Sequence, residues 1–217
     1  LPLLLLAFLA AHAFSSDGKP AALVYGSEVV SNCLSLLNAG GWSVQRAESD
    51  WGKLGMDGID GRSAVFVFGR PAPDARRLLD FVDGGGLLVL SADREGNFAV
   101  EEIAAASDGR IATLALSERK SGSILVKYDN WNELNLFVYP NRIVAFPEAS
   151  ARCFTLKKTD GKNRGVWRIE GILQGRTHRE PGEVFAVSQR VGRGMIVATS
   201  FPVSNGKFYA NLAQRLA

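Results

Sequence analysis

The stretch FVDGGGLLVLSADREGN, residues 81–97, contains the turn on which the fold depends. Its first residues end an amphipathic segment that opens at Pro73 and Asp74 and presents apolar residues at helical spacing. Gly84 to Gly86 then stop the helix, because glycine readily adopts the backbone conformations that close a helix end. The run LLVLS, residues 87–91, follows at once and is apolar like a strand buried on both faces. The stretch therefore predicts a helix, a tight turn and a central strand in direct succession.

Short strands and short helices alternate on both sides of this turn. Apolar residues at helical spacing after Ser27, with Gly40-Gly41 as a stop, predict a first helix, and FAVEEIAAAS predicts another. Strands separated by helices of about ten residues are typical of a parallel sheet covered on both faces. The predicted strands are 21–26, 42–47, 63–69, 87–91 and 194–200, the last returning to the main sheet.

The pattern changes in the second half of the chain. From about residue 110 to residue 190, strand-like runs such as GSILVKY, GVWRIEGIL and EVFAVSQRV are separated by turns such as Pro140-Asn141 and Asp160-Gly161. The predicted fold class is therefore α/β: a three-layer, mostly parallel sheet with a β-rich second half.

The composition is that of a folded domain without a nucleic-acid-binding surface. The 217 residues are 47% hydrophobic and 22% charged, with a formal net charge of +3. So small a charge is not the basic footprint of a nucleic-acid-binding protein, and no basic stripe alternates with stacking aromatics. The densest basic group is interpreted as a solvated hairpin face, with an anionic partner such as lipid headgroups as the alternative; it comprises Lys157, Lys158, Lys162, Arg164 and Arg168.

The first residues, LPLLLLAFLAAHAFSS, are interpreted as a secretory signal peptide. Their apolar run is shorter than the about 20 residues that a membrane-spanning helix needs, and AHA at 11–13 fits the small-x-small cleavage pattern. A buried helix or an anchor is the alternative. We therefore expect a signal peptide at 1–16 and one α/β domain at 17–217 that includes the β-rich region.

Few residues in the sequence could support nucleophilic catalysis. Ser91 stands at the end of the central strand, but the one histidine outside the signal segment, His178, lies in the loop GRTHREPG. A serine nucleophile needs a base to take its proton, so a hydrolase that uses Ser91 and His178 is a minor alternative. Cys33 and Cys153 are interpreted as buried free thiols, although an oxidising compartment would permit a disulfide.

Metal and cofactor sites are not predicted either. Zinc needs three or four Cys or His ligands, and only three such residues lie outside the predicted signal peptide. A calcium loop needs alternating oxygen ligands and a closing Glu, and Asp50, Asp57 and Asp60 do not have that spacing. The turn GSEVVSN after the first strand is neither Gly-x-Gly-x-x-Gly nor a Walker loop. We expect no catalytic residue, no metal and no cofactor in this chain.

Two surfaces are candidates for binding. Parallel α/β sheets bind ligands at the carboxyl ends of their strands, and the predicted cleft there comprises Gly26, Ser27, Ser91 and Asp93. The chain then ends in an amphipathic helix whose apolar stripe is Phe208, Leu212 and Leu216. Core packing is favoured for this end, and a partner surface made by Phe201, Phe208 and Tyr209 is the alternative.

Four segments together carry a family resemblance. They are DGRSAVFVFG, DFVDGGGLLVLSAD, LNLFVYPNRIVAF and GRGMIVATSFPVSNGKFYANLAQRLA. The chain resembles class I glutamine-amidotransferase-like domains that lack catalytic residues, and it most resembles the non-catalytic 48-kDa subunit of eukaryotic oligosaccharyltransferase over most of residues 20–217. Uncharacterised bacterial envelope proteins form a second branch. The resemblance implies an amidotransferase-like or flavodoxin-like arrangement of the sheet.

The resemblance also implies a function. A non-catalytic lumenal accessory subunit of the oligosaccharyltransferase complex would serve protein N-glycosylation in the endoplasmic reticulum, while catalysis belongs to another subunit. Its partners would be other subunits of that membrane complex, with at most indirect contact with the lipid-linked oligosaccharide. The alternative is an α/β binding protein of a bacterial periplasm or envelope, with an unknown ligand.

Overall fold

The computed structural model describes part of the chain: residues 19–25, 31–47, 63–68, 74–92, 98–116, 123–125, 143–145, 154–155, 167–173 and 183–200. The described helices are α1 (Ser31–Ala39), α2 (Ala75–Asp83) and α3 (Phe98–Ala106). The described strands are β1 (Ala21–Tyr25), β2 (Ser43–Arg46), β3 (Ala64–Phe68), β4 (Leu87–Ser91), β5 (Ala115–Leu116), β6 (Ser123–Leu125), β7 (Ile143–Ala145), β8 (Phe154–Thr155), β9 (Arg168–Leu173), β10 (Glu183–Val191) and β11 (Gly194–Thr199).

Five of the described strands form a parallel half-sheet in the order β2-β1-β3-β4-β11. The strand after the glycine turn, β4, lies in its interior, where Leu88 is the register partner of both Val65 and Ile196. All five residues of β4 are buried. The prediction that the late apolar run returns to the main sheet is confirmed, because β11 pairs in parallel with β4 from Met195 to Thr199.

The other described strands extend this sheet as an antiparallel flank, β5 to β10. β10 pairs with β11, β9 with β10, β6 with β9, and β7 with β6, in every case antiparallel. β8 pairs with the start of β10, and β5 pairs with β8. The predicted class, an α/β fold with a parallel main sheet and a β-rich second half, is confirmed.

The hydrophobic core on one face of the sheet is built by α2 and α3. α2 buries Leu78, Leu79 and Val82, and α3 buries Ile103. Side chains along a strand point alternately to opposite faces, so every second strand residue meets these helices. The strand residues in this cluster include Leu23, Val65, Val67, Leu88, Leu90, Ile196 and Ala198.

The opposite face of the sheet is also buried. Val24, Phe66, Val89 and Val197 alternate with the residues of the first cluster, and each is 0% exposed. Leu37 of α1 is buried but does not belong to the first cluster. The crossover through α1 connects β1 to β2, and the crossover through α2 connects β3 to β4, in the opposite direction along the sheet. Because both crossovers are right-handed, the two helices lie on opposite faces. The described elements therefore form three layers.

Local signals set the bounds of α2. A carboxylate oxygen of Asp74 accepts a hydrogen bond from the Arg77 N–H at 3.1 Å, which caps the start of the helix. The Gly84 N–H donates to the Asp80 carbonyl at 2.9 Å, and Gly85 continues with a φ of 114°, a value that favours glycine. The predicted start at Asp74 and the predicted glycine stop are both observed.

Several predicted segments lie outside the described residues. These are the predicted signal peptide at 1–16, the Ser27 cap of the first helix and the final amphipathic helix. In the part of the chain that the structure describes, no helix is long and apolar enough to cross a membrane.

Candidate functional site

The carboxyl edge of the parallel half-sheet places Ser91 in a row with residues of its neighbouring strands. Phe68, Ser91 and Thr199 are register partners at the ends of β3, β4 and β11. Ser91 is two residues from Val89 and points to the same face, away from α2 and α3. Ser200 follows Thr199, and both are buried. The row therefore brings an aromatic ring and hydroxyl groups to the edge at which such sheets bind ligands.

The Ser91 hydroxyl is directed at the backbone of the next residue. Ser91 is 5% exposed, and its Oγ donates to the Ala92 carbonyl at 3.4 Å. The Ala92 N–H donates to the Thr199 carbonyl at 2.8 Å, so pairing with β11 continues past Ser91. A nucleophile elbow instead turns sharply from strand to helix and exposes the serine Oγ. Ser91 therefore has the geometry of an ordinary strand residue.

The remaining predicted site residues fall outside the described residues, so the structure neither joins them to Ser91 nor separates them from it. They are Gly26, Ser27 and Asp93 of the predicted cleft, Phe201, Phe208 and Tyr209 of the predicted partner surface, and His178 of the hydrolase alternative. Cys153 and the side chain of Cys33 are likewise not described. These assignments stay predictions.

The triple glycine acts at the opposite, amino edge of the sheet. A Cβ placed on Gly194 would lie 2.2 Å from the carbonyl oxygen of Gly86 and 2.3 Å from that of Val82. The Met195 N–H donates to the same Gly86 carbonyl at 3.2 Å. Two backbones approach this closely only where no side chain separates them. The glycine turn therefore seats the start of β11 against the end of α2.

An ion pair between Asp83 and Arg110 reinforces this edge. Arg110 Nη1 donates to both carboxylate oxygens of Asp83, at 2.8 and 3.0 Å. The Arg193 N–H donates to the Asp83 carbonyl at 3.2 Å, and a Cβ on Gly192 would lie 2.5 Å from the Asp83 carboxylate. The pair is partly exposed, which limits its contribution to about 1 kcal/mol. Sequence patterns gave no sign of it, because its partners are 27 residues apart.

The charged groups of the described residues do not form a metal centre. No three His, Cys, Asp or Glu side chains among those residues are grouped to hold a metal ion. Partial burial raises the pKa of Glu102 on α3. Desolvation is the cause of that shift and no charged partner contributes, so the shift does not indicate coupled titration.

Comparisons with known proteins inform the fold alone. No protein-family model and no curated protein sequence matches this chain. Among solved structures, a cold-adapted β-galactosidase from Rahnella sp. R3 is similar with a TM-score of 0.58 and 13% identity, over 92% of this chain and 31% of the galactosidase. This chain thus spans about a third of that enzyme's length. A putative ThuA-like protein from Bacteroides uniformis has a TM-score of 0.55 and 9% identity, over 91% and 90% of the two chains.

A glutamine amidotransferase from Thermotoga maritima is also among the similar structures, with a TM-score of 0.41 and 14% identity over 85% of this chain. The observed topology and the two stronger matches show an α/β fold whose main sheet is parallel. None of the three is an oligosaccharyltransferase subunit, so that finer assignment depends on the sequence resemblance.

Proposed function

We propose that this domain is a non-catalytic accessory module that works by binding a partner. The observation that supports the proposal is the state of Ser91, a residue that is 5% exposed and whose Oγ donates to the Ala92 carbonyl. A serine nucleophile must reach its substrate and have a base within hydrogen-bonding distance. Strand pairing on both sides of Ser91 encloses it and so opposes access of a substrate to its hydroxyl.

The finer form of the proposal follows the sequence resemblance. The module would be a lumenal subunit of oligosaccharyltransferase in the endoplasmic reticulum, with other membrane-complex subunits as partners. It would support the catalytic subunit and touch the lipid-linked oligosaccharide at most indirectly. The stretch that carries this form is DFVDGGGLLVLSAD with its flanking strands.

Isolation of the protein from membranes of its own host tests which proteins it binds. Mild detergent extraction, affinity capture and mass spectrometry are expected to recover oligosaccharyltransferase subunits in fixed stoichiometry. A complex of other proteins would keep the accessory role and contradict the finer assignment. A protein recovered alone would contradict both.

Two substitutions that each remove one hydroxyl test whether the domain is non-catalytic. Ser91→Ala and the matched control Thr199→Val each remove a hydroxyl from the same row at the carboxyl edge. Neither variant is expected to lose function in host complementation, and each should change the free energy of unfolding by roughly 1 kcal/mol. Loss of a defined chemical activity in Ser91→Ala alone, with its fold intact, would favour the Ser91–His178 hydrolase and overturn the proposal.

A second candidate is a ligand-binding protein of a bacterial envelope. It is favoured by the position of the strand ends at Phe68, Ser91 and Thr199, which form the carboxyl edge at which parallel sheets bind ligands. Native mass spectrometry of protein purified without added metabolites tests it. A small molecule retained in fixed stoichiometry would support this candidate, and a protein of the bare chain mass would count against it.

A further inference from the structure

The segment from Ser107 to Leu114, here called the strap, links the parallel half of the fold to the antiparallel flank. It begins where α3 ends at Ala106 and leads into β5 at Ala115. Two of its side chains, Ile111 and Leu114, are buried in the core shared with α2 and α3. The strap is therefore anchored in the core at Ile111 and Leu114, while Asp108, Gly109 and Arg110 are exposed.

Hydrogen bonds within the strap fix its shape. Ser107 Oγ donates to the Ala104 carbonyl at 2.7 Å and accepts from the Ile111 N–H at 3.0 Å. Asp108 and Gly109 between them have positive φ angles of 52° and 79°. This conformation closes α3 and directs the strap toward the sheet.

Two side chains of the strap reach α2 in the parallel half: Asp108, in a largely exposed ion pair with Arg76, and Arg110. Arg110 Nη1 holds both carboxylate oxygens of Asp83 at the end of α2. The same residue's Nε donates to the Ser107 carbonyl at 3.2 Å, which orients the guanidinium. Arg110 therefore ties the strap to the edge where α2, β4 and β11 meet.

Two buried side chains of the flank hold the strap from the other side. Gln189 Nε2 on β10 donates to the Arg110 carbonyl, and Trp167 Nε1 just before β9 donates to the Ala112 carbonyl, each at 2.8 Å. Gln189 and Trp167 are 5% and 6% exposed. Buried polar groups that lose a partner are costly, so these two contacts resist separation.

We infer that the strap is a coupling device that keeps β9, in the antiparallel flank, docked on the parallel half. Arg110 is its central residue, because its side chain binds α2 while its carbonyl is held by β10. The β10–β11 ladder joins the halves along the sheet, and the strap joins them at the end of α3. Without the strap contacts, β9 would open while the parallel strands stay closed.

Hydrogen exchange of the full chain, followed by mass spectrometry, tests this coupling. Gln189→Met removes the donor to the Arg110 carbonyl and keeps an unbranched side chain of similar length. Because the Arg110 carbonyl loses this hydrogen bond, amides of Arg168–Leu173 should exchange several-fold faster. Amides of Ala64–Phe68 in β3 should exchange at the wild-type rate.

Two further variants make the test decisive. Arg110→Ala removes the tie to Asp83 from a partly exposed position and is expected to accelerate the same β9 amides a few-fold. Glu101→Ala is the control, since Glu101 is an exposed residue of α3 that lies outside the strap. Equal acceleration of β9 and β3, unchanged β9 exchange, or the same effect in Glu101→Ala would each overturn the inference.

Discussion

Replacing Gly194 by alanine is expected to destabilise this fold by about 3 kcal/mol or more. The new methyl group would lie 2.2 Å from the Gly86 carbonyl oxygen and 2.3 Å from that of Val82. Carbon–oxygen contacts normally begin near ~3.3 Å, so the backbones must separate by about 1 Å. Overpacking of this kind costs about 1–3 kcal/mol and sometimes more. Loss of the Met195 N–H bond to Gly86 adds about 1 kcal/mol.

Equilibrium unfolding in urea measures this loss, which would be a large part of a domain stability of about 5–15 kcal/mol. Two glycine controls separate its causes. Gly86→Ala would meet the ring of Phe81, which is half-buried and can rotate away, so a smaller loss is expected. Gly41→Ala has no atom within 4 Å and a φ of 88°, so it carries only backbone strain of about 1–2 kcal/mol. If Gly194→Ala were no more destabilising than Gly41→Ala, the close approach of the two backbones would be refuted.

Three other outcomes are expected. Phe208→Ala, in the predicted final helix outside the described residues, should cost about 3–5 kcal/mol in thermal melts if its stripe is core; an unchanged melt with a lost partner in a pull-down would assign the stripe to binding instead. His178→Ala should leave function intact and stability within roughly 1 kcal/mol, and a lost chemical activity would contradict this. Burial raises the pKa of the Glu102 carboxyl in the folded state. As the pH rises, the carboxyl therefore ionises first in the unfolded state, and the folded state becomes less stable relative to it. Glu102→Gln should therefore raise the melting temperature at pH 7 and leave it unchanged at pH 3, whereas an equal gain at both values would exclude an electrostatic origin.

The sequence by itself determined the elements whose signals are local. The helix that starts at Asp74, the stop at Gly84 and the buried strand after it depend on residues within a few positions of one another, and α2 and β4 have those bounds. The return of 194–200 to the sheet was also predictable, because an apolar run of that length needs burial on both faces.

Tertiary structure alone decided how these elements meet. The Gly86–Gly194 approach and the contacts of Arg110 with Asp83 and Gln189 join residues distant in the chain, and no spacing rule marks such pairs. The burial of Ser91 could not be predicted from the sequence either. The local sequence does not distinguish a serine that is exposed at a strand end from one that is enclosed there. In this fold, pairing of β4 with β3 and β11 encloses Ser91. Chemistry at this edge therefore depends on register across the sheet, which forms only when the whole domain folds.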